Sequence, residues 1–171
     1  MSGDSFVTFA YGSNMPAARL RERCPSTRAI GIAELPGHEL RWHKRSRDGS
    51  GKCDIVVVDT PNVSVFGVLY EIAADEKPAL DRAEGLNKGY DEVEVEVLCN
   101  GRQVTAKTYR ATDTDPSRRP FTWYRALVIA GAKEHGLPAA YIAGLESVLA
   151  DEDADRTRHD KRMALIGEVL A

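Results

Sequence analysis

Alternating apolar and polar positions predict short strands over the first two thirds of the chain. Residues 91–98 alternate acidic with aliphatic side chains, a pattern typical of a strand that buries one face. The Asn100-Gly101 pair that follows favours a tight hairpin turn, and residues 103–110 are predicted to form the returning strand. Five other stretches, rich in β-branched and aromatic residues, are also predicted strands: 6–11, 28–35, 38–43, 55–59 and 63–72.

Helical spacing of apolar residues dominates the remaining segments, above all in the last third of the chain. The predicted helices are residues 16–23, 75–84, 122–135, 139–149 and 155–170. Asn14 and Asp75 are suited to cap the first two helices, and Gly136 is suited to end the third. The apolar side of the last helix consists of Met163, Leu165, Ile166, Val169 and Leu170.

Many short strands with helices inserted and appended predict an α+β fold, built on a small barrel or a curled sheet. The length of 171 residues suits a single core. With 43% hydrophobic and 29% charged residues, the chain is not a disordered protein, a coiled coil or a collagen. We expect one domain over residues 1–150, with residues 151–171 as its helical extension and residues 151–162 solvated.

Charge and cysteine content narrow the functional classes. The 23 basic and 26 acidic residues leave a net charge of −3, which gives no general attraction to nucleic acid or to an anionic membrane. The longest apolar stretch, residues 126–132, is too short to cross a bilayer. Residues 1–12 lack the regions of a signal peptide, so we expect a cytoplasmic protein. The three cysteines form no C-x-x-C pair and are expected to be reduced thiols.

Several segments look like known catalytic or ligand-binding motifs but do not match those motifs on closer comparison. Residues 49–52 (GSGK) look like part of a P-loop, but Ser46 stands where that motif needs glycine, so a loop tip is favoured. The four histidines form no ligand pair, so no metal site is expected. The basic residues 43–47 are interpreted as a solvated loop edge. Residues 43–51 and 113–119 are nevertheless candidates for the walls of a pocket.

Two places point to a site. Residues 11–14 (YGSN) lie between a predicted strand and a predicted helix, where free backbone N–H groups suit a carboxylate or an oxyanion. Leu80 on a core face brings Glu84 to the same face, near the C-terminus of its helix. Partial burial and the helix dipole would raise the pKa of Glu84, as a general acid/base requires. An ordinary capped turn, and a surface glutamate followed by the helix-ending Gly85, remain open as alternatives.

These segments occur in the order found in the gamma-glutamylcyclotransferase family, which the chain resembles. Residues 9–15 (FAYGSNM) resemble the family signature, and residues 80–85 (LDRAEG) with Gly89-Tyr90 match its L-D-x-x-E-G segment. Further segments resembling the family are 23–25 (RCP), 33–37 (AELPG), 65–70 (VFGVLY) and 131–141 (GAKEHGLPAAY).

The resemblance implies a small mixed β-barrel with flanking helices, and an enzyme that needs neither a metal nor a cofactor. Such enzymes convert a small γ-glutamyl-amino acid into 5-oxoproline and a free amino acid. Carried over by position, Glu84 would be the catalytic acid/base and Tyr109 would contact the substrate. The other residues expected to bind the γ-glutamyl group are Thr8, Phe9, Ala10, Tyr11, Gly12, Ser13 and Asn14. The residues after Ser13 differ from the glutathione-specific and γ-glutamylamine branches, which favours the γ-glutamyl-amino-acid branch.

Two other functions remain open. The same residues would serve a cyclotransferase that acts on a γ-glutamyl-capped intermediate of secondary metabolism. A non-catalytic module that binds γ-glutamyl compounds is the second alternative, although a buried unpaired acid argues against it. The amphipathic tail is suited either to a homodimer contact or to covering one end of the barrel.

Overall fold

Five strands close into a barrel in the computed structural model, which describes residues 3–170. The strands are β1 (Ser5–Ala10), β2 (Arg28–Pro36), β3 (His38–Arg45), β4 (Gly51–Val57), β5 (Ser64–Ala73), β6 (Tyr90–Cys99) and β7 (Arg102–Ala111). The barrel order is β1-β5-β2-β6-β7, and β3 pairs with β4 in a separate two-stranded sheet. Antiparallel pairs make up the barrel except where β1 meets β7 in parallel, at Thr8 and Lys107. The α+β prediction and the small mixed barrel are confirmed.

The β6–β7 hairpin forms as the sequence pattern predicts. Its register runs without interruption from Tyr90 opposite Ala111 to Cys99 opposite Arg102. Asn100 and Gly101 both have positive φ angles, of 51° and 75°, as a tight hairpin turn of this kind requires. The valines of β6 point toward the core and the acidic residues that alternate with them face outward, whereas Leu98 near the end of the strand is exposed.

Five helices flank the barrel, and the residues that precede two of them differ from prediction. The helices are α1 (Ala17–Arg23), α2 (Lys77–Glu84), α3 (Thr122–His135), α4 (Ala139–Glu146) and α5 (Arg156–Leu170). Pro16 rather than Asn14 precedes α1, and its fixed φ angle suits the start of a helix. Asp75 lies in a single 3₁₀ turn, and Glu76 directly precedes α2. Neither predicted cap therefore forms, and the side chain of Asn14 is free for another role.

The segment before α5 is more buried than its charges suggest. Asp153 is only 1% exposed, and its carboxylate accepts hydrogen bonds from the indole N–H of Trp123 (2.9 Å) and from Arg158. The prediction of a solvated segment is therefore wrong at this residue, because an aspartate can be buried when every oxygen is hydrogen-bonded. In the part of the chain described, no helix is long and apolar enough to span a bilayer.

Helix α5 covers α3 rather than extending into solvent. Ile166 packs against Leu127 and Ala130 of α3, and Val169 borders the same cluster. Met163 was placed on the apolar side by its spacing, yet it is 39% exposed. Leu165 is partly buried as predicted, and Arg162, rather than Met163, is the partly buried residue at the edge that lines the cavity. The side chain of Leu170 lies outside the described residues.

Candidate active site

A cavity of about 310 Å³ lies where β1 ends, beside the C-terminus of α2. All nine site residues expected from the sequence line it: Thr8, Phe9, Ala10, Tyr11, Gly12, Ser13, Asn14, Glu84 and Tyr109. Residues 8–14 follow one another along β1 and its turn, whereas Glu84 arrives from α2 and Tyr109 from β7. Residues far apart in the sequence are therefore brought to one concave surface.

The turn after β1 offers backbone N–H groups to this cavity. The Gly12 carbonyl accepts a bond from the Met15 N–H (3.1 Å), which folds residues 12–15 into a turn. Among residues 3–170, the N–H groups of Gly12, Ser13 and Asn14 have no hydrogen-bond acceptor. Unpaired N–H groups in a concave turn suit an anion, either a carboxylate or a developing oxyanion.

Close packing against α3 and β4 fixes the position of the turn. A Cβ atom at Gly131 of α3 would lie 2.6 Å from the Met15 Cβ and 2.7 Å from the Pro16 Cδ, so only glycine allows this approach. The Tyr70 hydroxyl donates to the Met15 carbonyl (2.5 Å). A Cβ atom at Gly12 would meet the Cys53 Cβ at 3.2 Å. The N–H groups are therefore held in place before any ligand binds.

Glu84 occupies the last position of α2 and is partly buried. Leu80, four residues earlier, is 1% exposed, so the predicted shared face is present. Gly85 ends the helix in the left-handed conformation, with φ of 72°. The Asn14 side-chain amide donates to the Glu84 carboxylate and accepts a bond from the Arg23 guanidinium. Asn14 thus connects the turn after β1 to the acid instead of capping α1.

Burial raises the pKa of Glu84 above its usual value, because a carboxylate is less well solvated inside the cavity. Four cations act in the opposite direction: Arg23, Arg19, Lys52 and Lys44. Burial dominates, so the acid is easier to protonate than a surface glutamate. A group that must take up a proton and then return it benefits from such a shift.

Four tyrosines line the cavity, and they differ in whether the hydroxyl proton is already used in a hydrogen bond within the protein. The Tyr11 hydroxyl donates to the Tyr109 carbonyl (2.5 Å), and the Tyr90 hydroxyl donates to the Cys53 carbonyl (2.8 Å). The Tyr109 hydroxyl donates to the Asp81 carboxylate (2.6 Å).

Tyr124 differs from these three, because its hydroxyl accepts a bond from the Cys53 N–H (3.1 Å). Among the described residues, its own proton faces the Cys53 thiol, and sulfur is a weak acceptor, so this proton is more easily given to a ligand than those of the other three tyrosines. The family resemblance pointed to Tyr109 and did not indicate Tyr124, which lies in the first turn of α3.

Five cations line the cavity: Arg19, Arg23, Lys44, Lys52 and Arg162. The sequence analysis assigned none of them to the site, although it named the segment that contains Lys44 as a candidate wall. Lys44 belongs to the basic stretch that was interpreted as a solvated edge, and Lys52 to the rejected P-loop-like segment. Both side chains are partly buried and face aromatic rings, with the Lys44 Nζ 5.0 Å from the centre of the Tyr90 ring. The solvated-edge interpretation is therefore wrong at Lys44. Rejection of a P-loop is unaffected, since Lys52 lies on β4 and not at the start of a helix.

A second cavity of about 680 Å³ adjoins the first and shares Lys44, Ser46, Ala83 and Glu84 with it. Its other walls include Arg47, Asp113 and Arg118. Both segments named as candidate walls, 43–51 and 113–119, thus contribute. Glu84 lies at the junction of the two cavities.

Thiol and metal chemistry find little support in the described residues. Cys24, Cys53 and Cys99 are free and buried, as predicted. Burial raises the pKa of both Cys24 and Cys53, which disfavours the thiolate that a nucleophile needs. Within residues 3–170, no group of three His, Cys, Asp or Glu side chains could hold a metal ion.

Comparison with known proteins identifies relatives over most of the chain. The sequence profile of the AIG2-like family matches residues 64–145. Gamma-glutamylcyclotransferase of Bos taurus is 32% identical over 152 residues, which cover 85% of this chain and 80% of that protein. The Homo sapiens gamma-glutamylcyclotransferase is 31% identical over 151 residues, covering 85% of this chain and 79% of that protein. A solved structure of a gamma-glutamyl cyclotransferase superposes with a TM-score of 0.83 at 26% identity, covering 96% of this chain and 99% of that one.

Proposed function

The chain belongs to the gamma-glutamylcyclotransferase family, and on that premise we propose that it converts a γ-glutamyl-amino acid into 5-oxoproline and a free amino acid. The observation that carries this proposal is the pairing of Glu84 with the turn after β1. A partly buried carboxylate with a raised pKa faces unpaired backbone N–H groups across one cavity. A cyclisation needs both an acid/base and an anion-binding turn, and it needs no other reactive group.

The reaction proceeds within the substrate. The α-amino nitrogen of the glutamyl group attacks its own γ-carbonyl carbon, which forms the new C–N bond of a five-membered ring. The old amide C–N bond then breaks, and the nitrogen of the released amino acid departs with one proton. Glu84 takes one proton from the α-ammonium before attack and returns it to the leaving nitrogen. The ring nitrogen releases a second proton to solvent once the new C–N bond has formed, and the released amine takes one from solvent to become an ammonium, so the protons balance and the enzyme ends unchanged. Proton transfer of this kind contributes about 10²–10⁴-fold to the rate.

Holding the substrate in a ring-closing shape supplies a large share of the acceleration. Well-oriented intramolecular reactions reach effective molarities of about 10⁵–10⁸ M. The fixed turn and the aromatic walls of the cavity are suited to this task, since they leave the glutamyl chain little freedom. The N–H groups of Gly12 and Ser13 would bind either the α-carboxylate or the developing oxyanion. The Tyr124 hydroxyl, whose proton has only the weak Cys53 thiol acceptor beside it in the described residues, would donate to whichever oxygen the turn leaves unpaired.

Product analysis tests this proposal. The protein is incubated with several γ-glutamyl-amino acids, with glutathione and with a γ-glutamyl amine of lysine. We expect 5-oxoproline and the free amino acid in equal amounts from the γ-glutamyl-amino acids, with no glutamate. Glutamate as a product would mean that water attacks, and tight binding without turnover would mean a binding module. Either result contradicts the proposal.

Other features of the function remain predictions. We expect the enzyme to work in the cytoplasm without a metal or cofactor, on a small-molecule substrate and not on nucleic acid. A homodimer is the expected alternative to a monomer. The mass of the protein in solution tests whether it is a homodimer. Activity after dialysis against a chelator tests whether it works without a metal.

A further inference from the structure

The cavity holds more positive charge than the γ-glutamyl half of a substrate needs. Five cations line it, and Glu84 is the carboxylate among its lining residues. Within residues 3–170, none of Arg19, Arg23, Lys44, Lys52 and Arg162 forms a salt bridge. Other cations of the protein do pair, as Lys77 does with Asp81 at 3.0 Å. Unpaired cations collected in a cavity point to an anionic ligand.

Two of these cations also have a buried donor without an acceptor. The Nε atoms of Arg19 and Arg162 are inaccessible to solvent and form no hydrogen bond. Burial, with repulsion from Arg23 and Arg162, lowers the pKa of Arg19 to about 10. Burial also lowers the pKa of Lys52; Arg19 and Arg162 add to that effect, and the nearby Asp48 carboxylate opposes it without cancelling it. Such an arrangement is unfavourable unless an anion occupies the space between the cations.

Aromatic rings hold two of the cations in position. The Lys52 Nζ lies 5.3 Å from the centre of the Tyr124 ring and 5.6 Å from that of Trp123. The Arg162 guanidinium lies 5.4 Å from the same Trp123 ring. Arg162 reaches this place because α5 packs on α3 through Ile166. The cationic group is therefore built by contacts on three elements and is not a chance meeting of flexible side chains.

The charge of the substrate identifies which part fits this group. The γ-glutamyl half carries one carboxylate and one ammonium, so its net charge is zero. Glu84 serves the ammonium, and the turn after β1 is available to the carboxylate. The surplus of positive charge must therefore be matched by the leaving half. If the leaving half carries only its own α-carboxylate, it balances one cation of the cavity and leaves the others without a counter-charge. An acidic side chain on the leaving half adds a second negative charge.

We infer that Arg19, Lys52 and Arg162 bind the leaving half of the substrate, and that this half is an amino acid with an acidic side chain. The inference rests on the proposed function and names its preferred substrate class. Arg162 is then a specificity-determining residue contributed by the C-terminal helix. A carboxylate between two guanidinium groups and an ammonium group gains charge-assisted hydrogen bonds that a neutral amide cannot match.

A matched pair of substrates measures this preference. γ-Glutamyl-glutamate and γ-glutamyl-glutamine have the same shape and differ in one negative charge. We expect kcat/KM of the unaltered protein to be higher for γ-glutamyl-glutamate by about tenfold or more, since a hydrogen bond to a charged group is worth that much. Arg162→Gln should reduce this ratio several-fold, mainly through KM, and Arg162→Lys should restore part of it. Lys161→Gln removes the same charge from the exposed side of α5 and should leave the ratio unchanged.

Different outcomes separate this inference from the proposed function. Equal kcat/KM for the two substrates, or a preference for the amide, overturns the inference while the cyclotransferase activity stands. An equal loss on both substrates in Arg162→Gln, with the thermal transition unchanged, also overturns it, because Arg162 would then serve the glutamyl half. No 5-oxoproline from any γ-glutamyl compound overturns the proposed function, and the inference falls with it.

Discussion

At the scale of single residues, the central feature is a carboxylate whose protonation is set by two opposing effects. Burial raises the pKa of Glu84, and the cations around it lower that pKa. The base form must be present for Glu84 to accept the proton of the α-ammonium. Activity should therefore fall as the pH drops through a pKa above the usual glutamate value of about 4.3.

The pH profile of kcat/KM between pH 4 and 8 checks this prediction. We expect an acidic limb above the ordinary glutamate pKa in the unaltered protein. Lys52→Gln should move the limb to higher pH, because it removes a cation that lowers the pKa of Glu84. A limb at or below the ordinary glutamate value, or one that shifts to lower pH in Lys52→Gln, would show that another group controls the acid side.

The four tyrosines lead to a second prediction at this scale. The Tyr124 hydroxyl proton faces the weak acceptor sulfur of Cys53, whereas the Tyr109 hydroxyl already donates to the Asp81 carboxylate. We therefore expect Tyr124→Phe to lower kcat/KM by about tenfold, the value of a hydrogen bond to a developing charge. Tyr109→Phe should cost less activity, since the ring that lines the cavity is retained. A larger loss in Tyr109→Phe would return the donor role to the residue that the sequence suggested.

At the scale of elements, the sequence pattern predicted the strands and helix faces that depend on interactions between residues close together in the chain. The β6–β7 hairpin follows from alternation and from Asn100-Gly101, since both act between neighbouring residues. The shared face of Leu80 and Glu84 follows from helical spacing alone. Alternation and helical spacing do not predict which basic side chains enter the cavity. Lys52 enters the cavity because β4 leaves the barrel to pair with β3, and Arg162 because α5 folds back on α3.

The attachment of α5 yields a stability prediction. Arg158, with the Trp123 indole and the Asp155 N–H, holds the pKa of Asp153 well below its usual value. A depressed pKa means that this stabilisation is complete above the unfolded value of about 3.9 and is lost as the pH falls further. Asp153→Ala should lower the free energy of unfolding by about 1–3 kcal/mol at pH 7, because the buried indole N–H loses its acceptor.

Denaturant unfolding at several pH values measures this effect. The difference between Asp153→Ala and the unaltered protein should shrink below about pH 4, where the carboxylate of the unfolded chain begins to be protonated while the native carboxylate is still ionised. Asp151→Asn is the matched control, because the Asp151 side chain is 59% exposed and its pairing with Arg119 contributes little. A stability difference that does not depend on pH would contradict the ionic attachment of α5.

At the scale of the whole molecule, the barrel brings four distant parts of the chain to one cavity. The turn after β1 supplies N–H groups, α2 supplies Glu84, α3 supplies Tyr124, and α5 supplies Arg162. Motifs in the sequence indicated the first two, because their chemistry depends on adjacent residues. The last two depend on how helices pack on the barrel, which spacing in the sequence does not reveal.

The measurement that tests this account most directly compares two carboxylates of the same helix. Asp81 and Glu84 both lie on α2, but Asp81 binds the Tyr109 hydroxyl and Lys77, whereas Glu84 faces the cavity. Turnover of a γ-glutamyl-amino acid to 5-oxoproline is measured for Glu84→Gln and Asp81→Asn, with folding checked by thermal unfolding. We predict a loss of at least about 10²-fold in kcat for Glu84→Gln and less than about tenfold for Asp81→Asn. A folded Glu84→Gln protein with near-native turnover would contradict the account.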